Sequence, residues 1–227
     1  MHCHLCMEDV IQEFTWKDLF QVNYLYLCKS CEGQFEKLDV FKLRCEKCSR
    51  PLEQGGICRD CHEWENRFGK DPLDRNLSIF TYNEFMKEQI AIYKYRGDYE
   101  IVFSWQEELR RVYLKHYKKD KFTLIPIPLS EERQFERGFN QAEGIARCIG
   151  TNINQSLVRT QHTEKQSKRK KRQRMEATNP FLINGEVPKR ALIIDDIYTT
   201  GTTIRQAAQC LREAGAEEVE SLTLIRS

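Results

Sequence analysis

Ala191-Leu-Ile-Ile-Asp195-Asp196-Ile-Tyr-Thr199-Thr200-Gly201-Thr202-Thr203-Ile204 is the stretch on which the reading of the fold turns. Its first four residues are apolar without interruption, which suits a parallel strand covered by helices on both faces. Two carboxylates follow where that strand should end, and then a hydroxyl-rich turn around one glycine. Ile204, Ala207, Ala208, Leu211 and Ala214 recur at helical spacing up to a stop at Gly215. The order is strand, acidic pair, threonine turn, helix.

Such a turn aims free backbone N–H groups and hydroxyls at one point, and the helix N-terminus adds partial positive charge, so a phosphate belongs there. Gly201 lets the backbone come close. Asp195 and Asp196 are acceptors at the carboxyl end of a parallel strand, suited to a sugar diol or a hydrated divalent cation. A turn with capping threonines beside a solvated acid pair is the plainer alternative, but a cap needs one threonine, not four. A receiver-type phosphoacceptor aspartate would not call for the Thr-Thr-Gly-Thr-Thr that follows.

Two acids after an apolar strand and then Thr199-Thr-Gly-Thr-Thr203 resemble the loop of type I phosphoribosyltransferases that binds phosphoribosyl pyrophosphate (PRPP). That resemblance implies a mainly parallel α/β sheet with helices on both faces. It also implies that the loop residues Thr199, Thr200, Gly201, Thr202 and Thr203 hold the 5′-phosphate. Asp195 and Asp196 would hold the ribose hydroxyls and act as the catalytic pair, and PRPP would bind with Mg²⁺.

The chain has 227 residues, room for one medium domain and a small appendage. Its 36 basic and 34 acidic residues leave a net charge of +2, so no global field selects nucleic acid. No stretch approaches the ~20 apolar residues of a membrane span, and Met1-His-Cys-His-Leu-Cys6 lacks the layout of a secretory signal, so a cytoplasmic protein without membrane insertion is expected. Eight of the ten cysteines form four Cys-x-x-Cys pairs: Cys3/Cys6, Cys28/Cys31, Cys45/Cys48 and Cys58/Cys61. This spacing presents two sulfurs to one metal, so the reading is two structural zinc ions in closed four-thiolate sites, not disulfides.

Three pairings of the four knuckles are possible. Taking neighbours in order gives two ribbons in tandem, with interleaving as the next choice. His2, His4 and His62 flank complete thiolate sets and read as bystanders. A double zinc-ribbon module is thus expected over residues 1–64, a polar linker over 65–76, and the larger domain over 77–227. The aromatic-rich residues between Phe14 and Leu27 exceed what a ribbon needs, so they are expected to pack on the larger domain or a partner.

In that domain Leu77–Tyr82 has strand composition, and Phe85 to Tyr95 reads as helical up to Tyr93-Lys94-Tyr95-Arg96-Gly97-Asp98. A second helix should run from Tyr99 to about Lys115. Phe122-Thr-Leu-Ile-Pro-Ile-Pro128 reads as a strand ended by its prolines. Arg133 and Arg137 then precede a helix start at Asn140, a second anion-friendly place. Cys148 and Cys210 read as small core residues.

Ile125-Pro-Ile-Pro-Leu129 followed by Glu136-Arg-Gly-Phe-Asn-Gln141, behind a head rich in Cys-x-x-Cys, is similar to the ComF family of competence-associated proteins. The Tyr-Lys-Tyr-Arg-Gly-Asp segment also looks like a family element. The resemblance spans nearly the whole chain. It implies a role in natural transformation, handling single-stranded DNA as it enters the cytoplasm, alongside a competence helicase or other DNA-uptake proteins. Lys94, Arg133 and Arg137 are then candidate pyrophosphate or DNA contacts. Seven cations between Lys165 and Arg174 form a hood over pyrophosphate, a track for a nucleic-acid backbone, or only a solvated segment. Two functions of different class stay open: a phosphoribosyltransferase with an unknown acceptor, and a zinc-stabilised DNA-binding adaptor whose PRPP site is vestigial or a metabolite sensor.

Overall fold

The computed structural model describes residues 2–10, 27–160 and 179–227. Most of the aromatic stretch before Leu27 and the whole basic run Lys165–Arg174 lie outside the described residues.

Four parallel strands form the main sheet in the order β1-β6-β5-β2: β1 (Arg75–Thr81), β2 (Thr123–Pro126), β5 (Arg190–Tyr198) and β6 (Glu218–Arg226). A small antiparallel ribbon, β3 (Leu157–Arg159) with β4 (Phe181–Ile183), stands beside it. β5 is central, and Ala191, Leu192, Ile193 and Ile194 are each fully buried, as a strand covered on both faces must be.

The two faces carry separate packing. Leu192 and Ile194 meet a cluster that includes Met86, Ile90 and Tyr93 of α3 (Glu84–Tyr95), Leu109 of α4 (Gln106–His116) and Ile145 of α6 (Gln141–Ile149). Ala191 and Ile193 share the other cluster with Ile204, Ala207, Ala208 and Leu211 of α7 (Thr202–Glu213), the apolar spacing visible in the sequence. Tyr99–Trp105 is a 3₁₀ segment leading into α4, so the helix expected from Tyr99 is divided. β2 keeps its pairing through Pro126, then Ile127 still donates to Ile194 O at 2.9 Å before the chain leaves the sheet.

α1 (Lys29–Glu32) and α2 (Arg59–Phe68) each begin at the second knuckle of a pair, with Cys28 and Cys58 at the N-cap positions and Cys28 Sγ accepting from Cys31 N. The stretch read as a linker, 65–76, contains the end of α2, the buried Asp71 and Leu73, and the start of β1. Asn76 is fully buried there and ties the head to the sheet: its amide donates to Ser78 Oγ at 2.8 Å, its Oδ1 accepts from Ser221 Oγ at 2.9 Å, and its carbonyl accepts from Ser49 Oγ at 2.8 Å. A buried amide whose bonds are satisfied costs little, and it fixes the register of what it joins.

Candidate functional site

The eight cysteines come together as Cys3, Cys6, Cys28 and Cys31, and as Cys45, Cys48, Cys58 and Cys61, with the sulfurs of each set all within 4.8 Å of one another. This is the tandem arrangement. Sulfurs about 2.3 Å from a tetrahedral zinc stand about 3.8 Å apart. The Cys6–Cys28, Cys45–Cys61 and Cys48–Cys58 sulfurs lie at 3.7, 3.9 and 3.6 Å. Donor type and spacing therefore fit zinc at both sites.

The two sets differ in setting. Cys6 is exposed and Cys28 half-buried, whereas all four thiols of the second set are buried. That second set belongs to the cluster of Ile193, Tyr198 and α7, so it is part of the larger domain's core and not an appendage to it.

The acidic pair lies inside β5, since the strand runs on to Tyr198. Thr223 of β6 is the register partner of Asp195. Asp196 is buried and its Oδ2 lies 2.6 Å from Lys94 Nζ, at the last turn of α3. Asp195 Oδ1 accepts from Asp196 N at 2.9 Å. Burial pushes the Asp195 carboxyl up to about 7; the Asp196 charge adds to this, while the N–H bond, Lys94 and Arg137 oppose it. Two adjacent carboxylates, one paired with a lysine and the other pushed up by burial, form a setting more typical of functional sites than of packing.

After Tyr198 the threonines are exposed and the chain turns at Gly201, with φ 79°, straight into α7. A Cβ at this position would stand 2.3 Å from both Arg205 Nη1 and the Tyr198 hydroxyl oxygen, so glycine is required by backbone and by space. Thr200 Oγ1 shares a hydrogen bond with Thr202 Oγ1 at 2.9 Å and accepts from Thr202 N at 3.4 Å, while Gly201 at the N-cap has no side chain to cap the helix. The next N–H groups of the first turn of α7 face an anion without a side-chain partner from the N-cap.

Arg133 and Arg137, expected only to precede the helix start at Asn140, sit on a short helix of their own, α5 (Glu131–Arg137). Ser130 caps it, and Gly138 ends it in the left-handed region. Arg137 Nη1 donates to Gln141 Oε1 at 2.9 Å, at the start of α6, and its guanidinium lies 5.7 Å from the centre of the Tyr95 ring. Asn140 caps α6 as expected, accepting from Ala142 N at 2.9 Å. Arg159, at the end of β3, was missed. Its pKa is lowered by burial and by Arg133, and held up by Asp195, so its guanidinium lies within electrostatic reach of both. The only trace in the sequence is a cation at the end of a very short apolar run, Leu157-Val-Arg159.

The structure thus brings Lys94, Arg137, Arg159 and the threonine loop around one acidic pair at the carboxyl ends of parallel strands. It is the place where open α/β sheets bind ligands.

Residues 137–227 match the family model described as phosphoribosyl transferase domain. The chain is 40% identical over 230 residues to competence protein ComFC of Bacillus subtilis, covering 99% of this chain and 95% of that protein. It is 34% identical to competence protein ComFC of Streptococcus pneumoniae over the full length of both. Over a shorter stretch, 46% of this chain and 49% of the other, it is 31% identical to the DNA utilization protein YhgH of Escherichia coli O157:H7.

Proposed function

Because the chain belongs to the ComFC family of competence proteins and carries a phosphoribosyltransferase domain, we propose that it binds PRPP with Mg²⁺ at the β5–α7 site while handling incoming single-stranded DNA in the cytoplasm. One observation carries the ligand half of this reading. Gly201, at φ 79°, places four threonines and the N-terminus of α7 directly beyond the half-buried Asp195 and the buried Asp196. That donor set fits a 5′-phosphate on the loop, and Asp195 and Asp196 fit a ribose diol or a hydrated Mg²⁺. Arg133, Arg137 and Arg159 supply the positive charge that a pyrophosphate group requires. PRPP brings an activated C1 with pyrophosphate as leaving group; this chain's own residues position the sugar and neutralise the departing charge.

The DNA half rests on the relatives, since both ComFC proteins are named for competence and YhgH for DNA utilization. Among the described residues no helix is long and apolar enough to cross a membrane. A competence helicase or another DNA-uptake protein is the partner this role calls for.

Calorimetric titration with PRPP and Mg²⁺ tests the ligand. Binding by the wild-type chain, lost in folded Asp195→Asn/Asp196→Asn, is the expected result, and equal affinity in that double variant would remove the assignment. Pyrophosphate release that requires an added acceptor marks an enzyme. Binding without release marks an adaptor that senses PRPP.

A further inference from the structure

The second cysteine set lies directly beneath the threonine loop, and three side chains connect the two. Arg205, in the first turn of α7, is 1% exposed. Its guanidinium donates to Asp71 Oδ2 at 2.8 Å and to the Tyr198 hydroxyl, and Nη2 lies 3.8 Å from Cys61 Sγ. Arg226, at the end of β6, donates through Nη1 to Tyr198 O and Thr199 O, each at 3.0 Å, while Nη2 lies 3.8 Å from Cys48 Sγ. Trp64, on the helix that starts at Cys58, donates Nε1 to Thr200 O at 2.9 Å and lies under the Arg205 guanidinium at 5.1 Å.

Three consecutive carbonyls, those of Tyr198, Thr199 and Thr200, are therefore held by Arg226, which touches Cys48, and by Trp64, whose helix follows Cys58. A buried guanidinium is stable only against negative charge. Four thiolates around one divalent zinc are formally dianionic, and they offer that charge to Arg205 and Arg226 together. The carbonyls that Arg226 and Trp64 fix, with Arg205 bracing the Tyr198 hydroxyl beside them, lead into the residues whose N–H groups and hydroxyls must converge on one phosphate. Errors of an ångström in such a cradle weaken binding severely.

We infer that Arg205, Arg226 and Trp64 are positioning residues that make the geometry of the phosphate loop depend on the metal-filled state of the Cys45, Cys48, Cys58 and Cys61 site. The consequence for ligand affinity rests on reading that loop as the PRPP phosphate site; the dependence of the loop on the cysteine set does not.

Hydrogen exchange of the amides at 199–203, measured on the full zinc-loaded chain, reads the loop without any ligand. Trp64→Phe keeps an aromatic ring beneath Arg205 but loses the bond to Thr200, and should speed loop exchange about fivefold. Arg226→Lys, which keeps the charge but not the fork, should do the same, as should metal removal from the wild-type chain. Exchange in α4 and the melting temperature should stay near wild type in Trp64→Phe. PRPP affinity should fall by about the same factor as loop exchange rises. Loop exchange unchanged in Trp64→Phe and Arg226→Lys overturns the inference, as does exchange that rises only in step with α4. If the wild-type chain fails to bind PRPP, the ligand reading falls, and loop exchange still decides this one.

Discussion

Lys94 Nζ lies 2.6 Å from Asp196 Oδ2, with 16% and 12% of the two side chains exposed, so α3 neutralises one acid of the pair from below. Asp195 is left as the titrating partner, its carboxyl pushed up to about 7 by burial and then by Asp196. If the charged form receives the ribose and Mg²⁺, PRPP affinity should fall as pH drops below 7, approaching tenfold per pH unit on the acid side. Lys94 is one of the cations holding Asp195 down, so Lys94→Met should move the midpoint to higher pH. Titrations at pH 6, 7 and 8 on both proteins check this; PRPP's own titration cancels in the comparison. Coincident pH profiles would refute the coupling.

The same carboxyl makes a stability prediction of opposite sense. Its folded pKa lies above the unfolded value of about 3.9, so the folded state holds the extra proton between roughly pH 4 and 7. Stability contributed by this group is complete below pH 4 and is lost as pH rises through 7. Asp195→Asn carries no such loss. It should melt on the order of 10 °C above wild type at pH 8, equivalent to about 4 kcal/mol, and match it at pH 4, while binding PRPP less well. Thermal melts at the two pH values decide it.

Gly201→Ala tests the cradle itself. The new methyl would meet Arg205 and the Tyr198 hydroxyl, and the residue would be held at φ 79°. A strained residue of this kind costs about 1–3 kcal/mol. The damage should be local: a melting temperature lower by roughly 3–10 °C and PRPP binding reduced at least tenfold. A variant that binds PRPP normally would mean that the loop does not hold the phosphate.

The parts legible in the sequence are those governed by short-range pattern. The apolar run 191–194, the Thr-Gly-Thr turn and the spacing of Ile204, Ala207 and Leu211 are local rules, and the structure carries β5, Gly201 and α7 where they point. What stayed hidden depends on contacts far apart in the chain. Arg205 sits beside Ile204 on a helix with an obvious apolar face, and nothing nearby signals that its partner is Asp71, 134 residues away. Asp71 likewise fell in a polar stretch with Gly69 and Pro72, which reads as linker by composition. Lys94 and Asp196 are each visible as candidates, but their pairing needs the packing of α3 on β5. Knuckle spacing identifies the zinc ligands, whereas the burial of the second set in the core follows from tertiary packing.

Asp71→Asn should be a strongly damaging isosteric change in the stretch that joins the head to β1. Both side chains of the pair are about as buried as the core, 2% exposed for Asp71 and 1% for Arg205, and Asp71 Oδ1 also accepts from Leu73 N at 3.0 Å. An asparagine preserves shape and the backbone bond but leaves a buried guanidinium short of charge, a loss of about 3–5 kcal/mol where such pairs are broken. A fall of roughly 10 °C in melting temperature is expected. Asp71→Asn combined with Arg205→Gln should cost less than the sum of the single changes. Additive losses would mean that the pair is not a unit.

Metal removal should separate the two zinc sites in time and consequence. The first set includes the exposed Cys6 and the half-buried Cys28, whereas every sulfur of the second is buried beneath the loop. A chelator reaches exposed thiolates first, so one equivalent of zinc should leave quickly and the other slowly, out of two per chain by metal analysis. Because a structural zinc contributes folding free energy directly, loss of the slow equivalent should lower the melting temperature strongly, since its ligands are packed against Ile193, Tyr198 and α7. Loss of the fast equivalent should lower the melting temperature much less. Cys6→Ser and Cys58→Ser assign the phases: the first should abolish only the fast one, the second only the slow one, and Cys58→Ser should be the less stable protein. Equal release rates and equal stabilities in the two variants would contradict the division.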